Sequence, residues 1–592
     1  MTVRSVALTA LIVVVEVTAQ DAVVNVPSDL ATRALVKDVY GYSIEPVWVN
    51  DYISTPLATN LLAIIANVTG KPPPIRVGGN TADQTYLHDT LPTGNDSVAI
   101  PSPANAKQFN ITPSWYDSWV YYFPNDTDFV YTLNLAVNDS AWADAVAEAA
   151  AVHTALGTKL KLFELGNEID HFINKGWRDP TWDVAEYISQ FRNLTGQIVS
   201  SEWYTSTPEN AKPKFQAGVF ADPPWVPDQQ DETDDFDIVN LTNNGEGGII
   251  EGPQDKEIIG SYAMHLYPQS TCDTARWLRM RLDLLSNHSV LWHNISQYVP
   301  QVAAADKAGA PFVMGETNSV SCSGRSGISD TFGAALWGVD YVLLGASVGI
   351  RKLYFHLGAQ SEYSSFTPKA YVLKNETLQG GIRAGWYGHY FVAKVVAAEG
   401  NGDLSIAALP GANSSTLSGY AVYSGEGVLR TLRKLVFLDM GVWNGTEGLS
   451  NNSTLSATDG TMFSEGERPN GTIRVSTPWC AGRNVSVTRL TAPGTNAKSG
   501  VAVSGVTFNT QTGDKIGEEK TEVLTVGQNG TVEFGIQRAE GVLLEVAGSN
   551  CTVVVSPSSG GEVPASGAAE NRVTVWTCFF VAVIVAVSMI VL

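Results

Sequence analysis

Between about residues 38 and 395 the chain alternates short apolar runs with longer helix-like stretches eight times, and few folds accommodate that rhythm. The runs are 39–44, 75–77, 129–135, 160–165, 215–219, 258–264, 311–315 and 352–355. Helical spacing occupies 56–68, 140–156, 181–199, 291–308 and 329–346, with Ser140 and Ser329 at N-cap positions and Gly157 as a C-cap. The stretches after the second and fifth runs carry no clear helical pattern. Strand and helix in regular alternation predict a parallel barrel, because each crossover must bring the chain back to the same edge. From about residue 400 the pattern changes to runs at 416–423, 432–438, 472–475, 485–490 and 542–546, separated by Gly, Asn and Thr. The predicted fold class is therefore α/β: a (β/α)8 TIM-type barrel over 38–395 and a C-terminal all-β sandwich over 400–555. Residues 20–37 precede the first barrel strand and are expected to add an edge strand to the sandwich.

Two of the apolar runs end in a glutamate. Leu160-Lys-Leu-Phe-Glu-Leu stops at Gly-Asn-Glu168, and Pro311-Phe-Val-Met-Gly stops at Glu316. A barrel of this kind presents reactive side chains from the C-terminal ends of its strands, and about 30 residues per unit puts these ends at strands 4 and 7. Two carboxyl groups facing one another suit cleavage of a glycosidic bond, one as acid and one as nucleophile or base. Asp170, His171 and Trp177 follow Glu168 in a loop suited to the mouth of such a site.

The termini carry their own signals. Residues 1–19 combine Arg4, an apolar stretch and Val17-Thr18-Ala19, which reads as a cleaved signal peptide. Residues 556–592 form a polar spacer followed by an apolar run with no basic residue after it, the pattern of a GPI-attachment signal; a retained tail helix is the alternative. Asn-x-Ser/Thr acceptors recur from Asn67 to Asn550, in keeping with a glycosylated extracellular protein. Of the cysteines, Cys578 lies in the apolar tail. Among Cys272, Cys322, Cys480 and Cys551 three connectivities are open, the simplest joining Cys272 to Cys322 and Cys480 to Cys551. No cysteine–histidine spacing resembles a metal site, and no cofactor is expected. A net charge of −22 disfavours nucleic acid and sulfated polyanions as partners.

Several segments together resemble glycoside hydrolase family 79, which includes heparanase and fungal and bacterial β-glucuronidases. They are Phe163-Glu-Leu-Gly-Asn-Glu168, Gly315-Glu-Thr-Asn-Ser319, Gly327-Ile-Ser-Asp-Thr-Phe-Gly-Ala-Ala-Leu-Trp337, Arg76-Val-Gly-Gly-Asn80 and Tyr42-Ser-Ile-Glu45. The resemblance implies a retaining mechanism, with Glu168 as acid/base at a raised pKa, Glu316 as ionised nucleophile and Asn167 holding the sugar 2-hydroxyl. It also implies that Glu45 and Asn80 bind hydroxyls and that the strand 7 and strand 8 loops hold a sugar carboxylate. Tyr363 matches the strand 8 tyrosine. At strand 7, where relatives often carry Tyr-Gly-Gly, this chain has Ser321-Cys-Ser-Gly324, leaving the amides of Ser323 and Gly324 as the expected donors. His265 and Tyr267 end strand 6 and are expected either to line the pocket or to orient Glu316. The aromatic group Trp115, Tyr116, Trp119, Tyr121 and Tyr122 suits either sugar stacking or core packing.

The expected function is that of a secreted retaining exo-β-glucuronidase acting on terminal glucuronic acid, with or without a 4-O-methyl group, in glycans. The expected partner is a carbohydrate substrate, with membrane attachment only through the GPI anchor. The alternatives are a β-xylosidase or β-glucosidase of the same clan, and a non-catalytic wall or adhesion protein on the same fold.

Overall fold

A computed structural model of the chain describes residues 21–547, apart from 92–107, 137–138, 225–235, 244–247, 359, 399–401, 426, 428–429 and 457–461. The expected signal peptide, the GPI signal and Cys551 lie outside the described residues. Eight parallel strands close a barrel: β1 (Tyr40–Ile44), β2 (Ile75–Val77), β3 (Phe129–Leu133), β4 (Leu160–Leu165), β5 (Lys214–Phe220), β6 (Ile259–Leu266), β7 (Phe312–Thr317) and β8 (Leu353–Leu357). They are neighbours in chain order, and β8 pairs with β1 from Leu353↔Tyr40 to Leu357↔Ile44. Every expected run became one of these strands.

The helices follow the sequence with two corrections. Helix α1 (Pro56–Thr69) starts at Thr55, whose hydroxyl accepts the N–H of Ala58, and α3 (Val184–Ser200) starts at Asp183, which accepts from Glu186. Between them runs α2 (Asp139–Leu156). The single helix expected over 291–308 is two, α4 (His288–Ser296) and α5 (Val299–Ala308). Pro300 is the reason: it has no N–H to give to a preceding turn, so it sits in the first turn of a new helix. Helix α6 (Phe332–Val348) starts later than expected, with Thr331 at the cap; the Ser329 hydroxyl instead accepts the N–H of Arg325 at 2.9 Å. Helix α7 (Ala384–Val396) packs beside α6.

The C-terminal region is two sheets. The larger runs Arg33–Leu35, β9 (Leu404–Asn413), β10 (Leu417–Ser424), β11 (Thr431–Asp439), β15 (Glu540–Val546), β13 (Asn484–Thr491) and Ala502–Val503. The smaller holds Ala22–Asn25, β12 (Asn470–Ser476) and β14 (Thr531–Gln537). Strand periodicity divides the larger sheet's side chains between two cores. Ala421, Leu435, Phe437, Val542 and Leu544 pack against Val24, Ile473, Val475, Val532 and Phe534 of the smaller sheet. Their alternates Tyr420, Val422, Val436, Leu438 and Leu543 belong to the core of the barrel, where α6 is buried along most of its length. A helix apolar all round has to be covered on every side, and the sheet supplies the cover. At that seam Asp340 of α6 accepts the Tyr420 hydroxyl at 2.5 Å and lies 2.8 Å from Nδ1 of His288.

Candidate active site

The chain leaves β4 through Gly166 (φ 77°), where a Cβ would come within 2.7 Å of Ile169 and 3.0 Å of Leu135. Glycine is required there by space as well as by backbone angle. Glu168 itself has φ 51° and its N–H donates to the carbonyl of Val219, a β-branched residue held at φ 62°. Left-handed backbone at two such residues is uncommon and gathers at functional sites. The turn brings Glu168 to the barrel mouth with its side chain 16% exposed.

Glu316 arrives from the end of β7. Its Oε2 accepts from Nη1 of Arg76 at 2.8 Å and its Oε1 from the Tyr267 hydroxyl at 2.7 Å. An oxygen of Glu168, an oxygen of Glu316 and a ring nitrogen of His265 lie within 4.8 Å of one another. The two glutamates predicted from strand ends therefore face each other. A metal would have to compete there with Arg76 and Tyr267, which already engage both Glu316 oxygens.

Arg76 organises the floor. Fully buried on β2, it donates through Nε to Glu164 at 2.8 Å, through Nη1 to Ser43 at 2.9 Å and through Nη2 to Asn167 Oδ1 at 2.8 Å. Glu164, equally buried, also accepts from Thr132 at 2.5 Å and from Gln216, which in turn accepts from Ser261 at 2.6 Å. A planar guanidinium with five donors is suited to hold two carboxylates and an amide at fixed angles.

The charges around the two glutamates favour ionisation of both. For Glu316, burial works toward a raised pKa, but His356, His265 and Arg76 outweigh it and the pKa is lowered. Glu168 departs from expectation: its pKa is lowered rather than raised. Burial pushes it up, yet the hydrogen bond with His265 (3.2 Å) and the charges of His171 and Lys175 dominate. His171 is pushed up to about 9: burial opposes this, and the Asp222 hydrogen bond with the charges of Asp170 and Glu168 prevails.

The remaining predicted residues divide into floor and rim. Asn167 is buried, its N–H donating to Asp83 at 2.8 Å. Glu45 is buried and accepts the Thr81 N–H at 2.7 Å; burial pushes its pKa up to about 7 despite the Thr81 bonds. Asn80 is exposed at the rim, where its Oδ1 accepts from Lys175 at 2.7 Å. His265 is fully buried beside Glu168, and Tyr267 lies between Glu316 and Tyr363, with the two rings 6.3 Å apart. Ser323 and Gly324 stand next to Tyr363: the Ser323 carbonyl accepts from Glu362 at 2.7 Å. Trp115, Tyr116 and Trp119 pack against each other and Tyr131 in the core, while Tyr121 and Tyr122 are exposed. Sequence reasoning gave no role to Arg76 and Glu164, which stand in the quoted segments, and did not single out Gln216, His356 or Lys175. The first two carried a usable signal: a charge inside an apolar barrel strand has to be paired inside the barrel.

Comparison with known proteins agrees with this geometry. Residues 419–543 match the family model for the glycosyl hydrolase family 79 C-terminal β domain. The chain is 29% identical to a β-glucuronidase of Neurospora crassa over 510 residues, covering 80% of this chain and 85% of that one. It is also 29% identical to a β-glucuronidase of Aspergillus niger over 549 residues, covering 88% and 93%. Among solved structures, a 4-O-α-L-rhamnosyl-β-D-glucuronidase from Fusarium oxysporum, determined with Rha-GlcA, superposes with a TM-score of 0.67 at 24% identity over 88% of this chain and all of that one. A family 51 arabinofuranosidase from Xanthomonas axonopodis shares the fold at TM-score 0.53 and 13% identity, covering 89% of this chain and 99% of that one. With a closed barrel, facing glutamates at strands 4 and 7 and a C-terminal region that matches the family 79 β domain, the chain is a glycoside hydrolase similar to the β-glucuronidases of that family.

Proposed function

We propose that the protein is a retaining exo-β-glucuronidase that releases terminal β-linked glucuronic acid, including its 4-O-methyl form, from glycans. The observation that carries the reading is the approach of Glu168 and Glu316 to within 4.8 Å, close to the separation of about 5 Å that double displacement uses. The similarity to two β-glucuronidases along most of the chain supports the choice of sugar. Glu316, ionised and aimed by Arg76 and Tyr267, attacks the anomeric carbon. The C–O bond to the departing group breaks, and the leaving oxygen takes a proton from Glu168. Water then enters, Glu168 removes its proton, and the glycosyl ester to Glu316 opens.

In the free enzyme Glu168 is held ionised by its neighbours. Substrate excludes water and adds the sugar's own carboxylate, both of which raise the proton affinity of Glu168, so it takes up the proton it needs from solvent as the complex forms. Asn167, fixed by Arg76, meets the sugar 2-hydroxyl. Glu45, whose pKa burial pushes up to about 7, bonds a further hydroxyl. The sugar carboxylate falls to Tyr363 and the Ser323 and Gly324 amides.

The protein acts outside the cell, delivered by residues 1–19 and anchored after removal of 556–592. Among the described residues none of the glycan acceptor asparagines is buried, and Cys272–Cys322 form a disulfide, both in keeping with that route. A panel of 4-nitrophenyl β-D-glycosides tests the reading. Hydrolysis of the glucuronide well above the glucoside and xyloside supports it, as does its loss in folded Glu168→Gln and Glu316→Gln variants. Near-normal activity in either variant, or preference for a neutral sugar, contradicts it.

A further inference from the structure

We propose that the Cys272–Cys322 disulfide is a clasp that sets the carboxylate end of the sugar pocket, making both cysteines positioning residues for substrate selection. The inference rests on the glucuronidase reading above. Its first ground is backbone geometry: Cys322, Ser323 and Gly324 have φ of 60°, 75° and 79°, three consecutive left-handed residues of which two carry a Cβ. L-residues adopt that run only where surrounding contacts impose it.

The contacts come from both sides. Toward β6, Gln269 and Ser270 pair in parallel with Val320 and Ser321, the Ser321 hydroxyl donates to that of Ser270 at 2.7 Å, and the Thr271 hydroxyl reaches the Cys322 carbonyl at 3.0 Å. The disulfide lies just beyond this ladder, two residues past Ser270 and one past Ser321, its Cα atoms 6.0 Å apart. Toward β8, Ser323 accepts from Glu362, and a Cβ on Gly324 would come within 2.6 Å of the Tyr363 amide nitrogen. The turn is wedged between the cystine and Tyr363.

The Tyr267 support of Glu316 does not pass through the cystine. Arg276 donates to Asp273 at 2.7 Å and to the Tyr267 carbonyl at 3.1 Å, and the Tyr267 hydroxyl donates to Glu316. Among the described residues no protein acceptor meets the N–H of Ser323 or Gly324, so both amides remain for an anionic group. Opening the clasp lets the turn relax toward right-handed backbone and moves these amides. Glu168 and Glu316 keep their own supports in His265 and Arg76, so bond cleavage persists while glucuronide binding weakens.

The test compares Cys272→Ser/Cys322→Ala with Cys272→Ser/Cys322→Gly on 4-nitrophenyl β-D-glucuronide. The alanine pair should raise KM about tenfold with kcat within about twofold, and leave any residual glucosidase activity unchanged. Glycine accepts φ 60° without a Cβ, so its pair should recover most of the lost affinity. Wild-type KM in the alanine pair overturns the proposal, as does equal impairment of both pairs on both substrates, the mark of a merely structural cross-link. If the alanine pair fails to fold, Ser323→Val with the disulfide intact replaces it: a β-branched residue at φ 75° should raise KM, and an unchanged KM overturns the clasp. A wild-type protein that cleaves only a neutral glycoside contradicts the glucuronidase reading, and the clasp falls with it. A glucuronidase whose variants behave as wild type contradicts the clasp alone.

Discussion

Arg76 Nη1 lies 2.8 Å from Glu316 Oε2 while Nη2 of the same guanidinium lies 2.8 Å from Asn167 Oδ1, so one buried cation fixes both the proposed nucleophile and the amide proposed to meet the sugar 2-hydroxyl. Arg76→Lys keeps the charge but not the fork. It should lower kcat by about 10² to 10³ and reduce stability, because Glu164 then loses a partner at a fully buried site, a loss that costs about 3–5 kcal/mol when a buried pair is broken outright. Steady-state kinetics with thermal melts measure both; a lysine variant of near-normal kcat contradicts the role given to the fork.

The lowered pKa of Glu168 has a consequence for pH dependence. In the proposed mechanism the group must carry a proton when the glycosidic bond breaks, and its neighbours hold it ionised in the free enzyme, so the alkaline fall of kcat/KM should begin below the ordinary glutamate pKa of about 4.3. His171→Gln removes a positive charge beside it. The Glu168 pKa then rises, and the alkaline limb of the profile should move up by about half a unit to one unit. A shift to lower pH would show that His171 does not hold Glu168 ionised.

Much of the barrel was legible because each strand is a short apolar run bounded by turn residues, and the reactive glutamates sit where those runs stop. Pro300 was visible too, yet helical spacing on both sides concealed that it divides one helix from the next. The electrostatics of Glu168 were not legible, since His265 arrives from a strand 97 residues away and Lys175 folds back from the following loop. Arg76 stands in a strand of three residues, where nothing local reveals that it reaches Glu164, Asn167 and Glu316 at once. Ser323 and Gly324 were chosen by position, but their left-handed backbone belongs to the folded loop.

Tyr267 donates to the Glu316 oxygen that Arg76 leaves free. Tyr267→Phe removes one hydroxyl and should lower kcat about a hundredfold, with KM for the glucuronide changed little. If KM instead rises at constant kcat, Tyr267 serves substrate binding rather than the nucleophile.

Glu148 lies in the core against Tyr131, whose hydroxyl donates to it at 2.5 Å, and burial pushes its pKa up to about 8 despite the hydrogen bonds from Tyr131 and Tyr116. An unfolded glutamate titrates near about 4.3, so the folded state binds the extra proton between these values and stability falls as pH rises through that window. Glu148→Gln keeps an acceptor for Tyr131 and removes the titration. Its Tm should decline less between pH 5 and 8 than that of the wild type, and an identical decline would remove Glu148 from the account.

Retaining cleavage of a β-glucuronide by Glu168 and Glu316 fixes the configuration of the sugar first released. Proton NMR of 4-nitrophenyl β-D-glucuronide with the purified enzyme tests it most directly, because the anomer released first is seen before mutarotation. β-Glucuronic acid is expected as the first product; α-glucuronic acid appearing first, or no hydrolysis of this substrate, would contradict double displacement by the two glutamates.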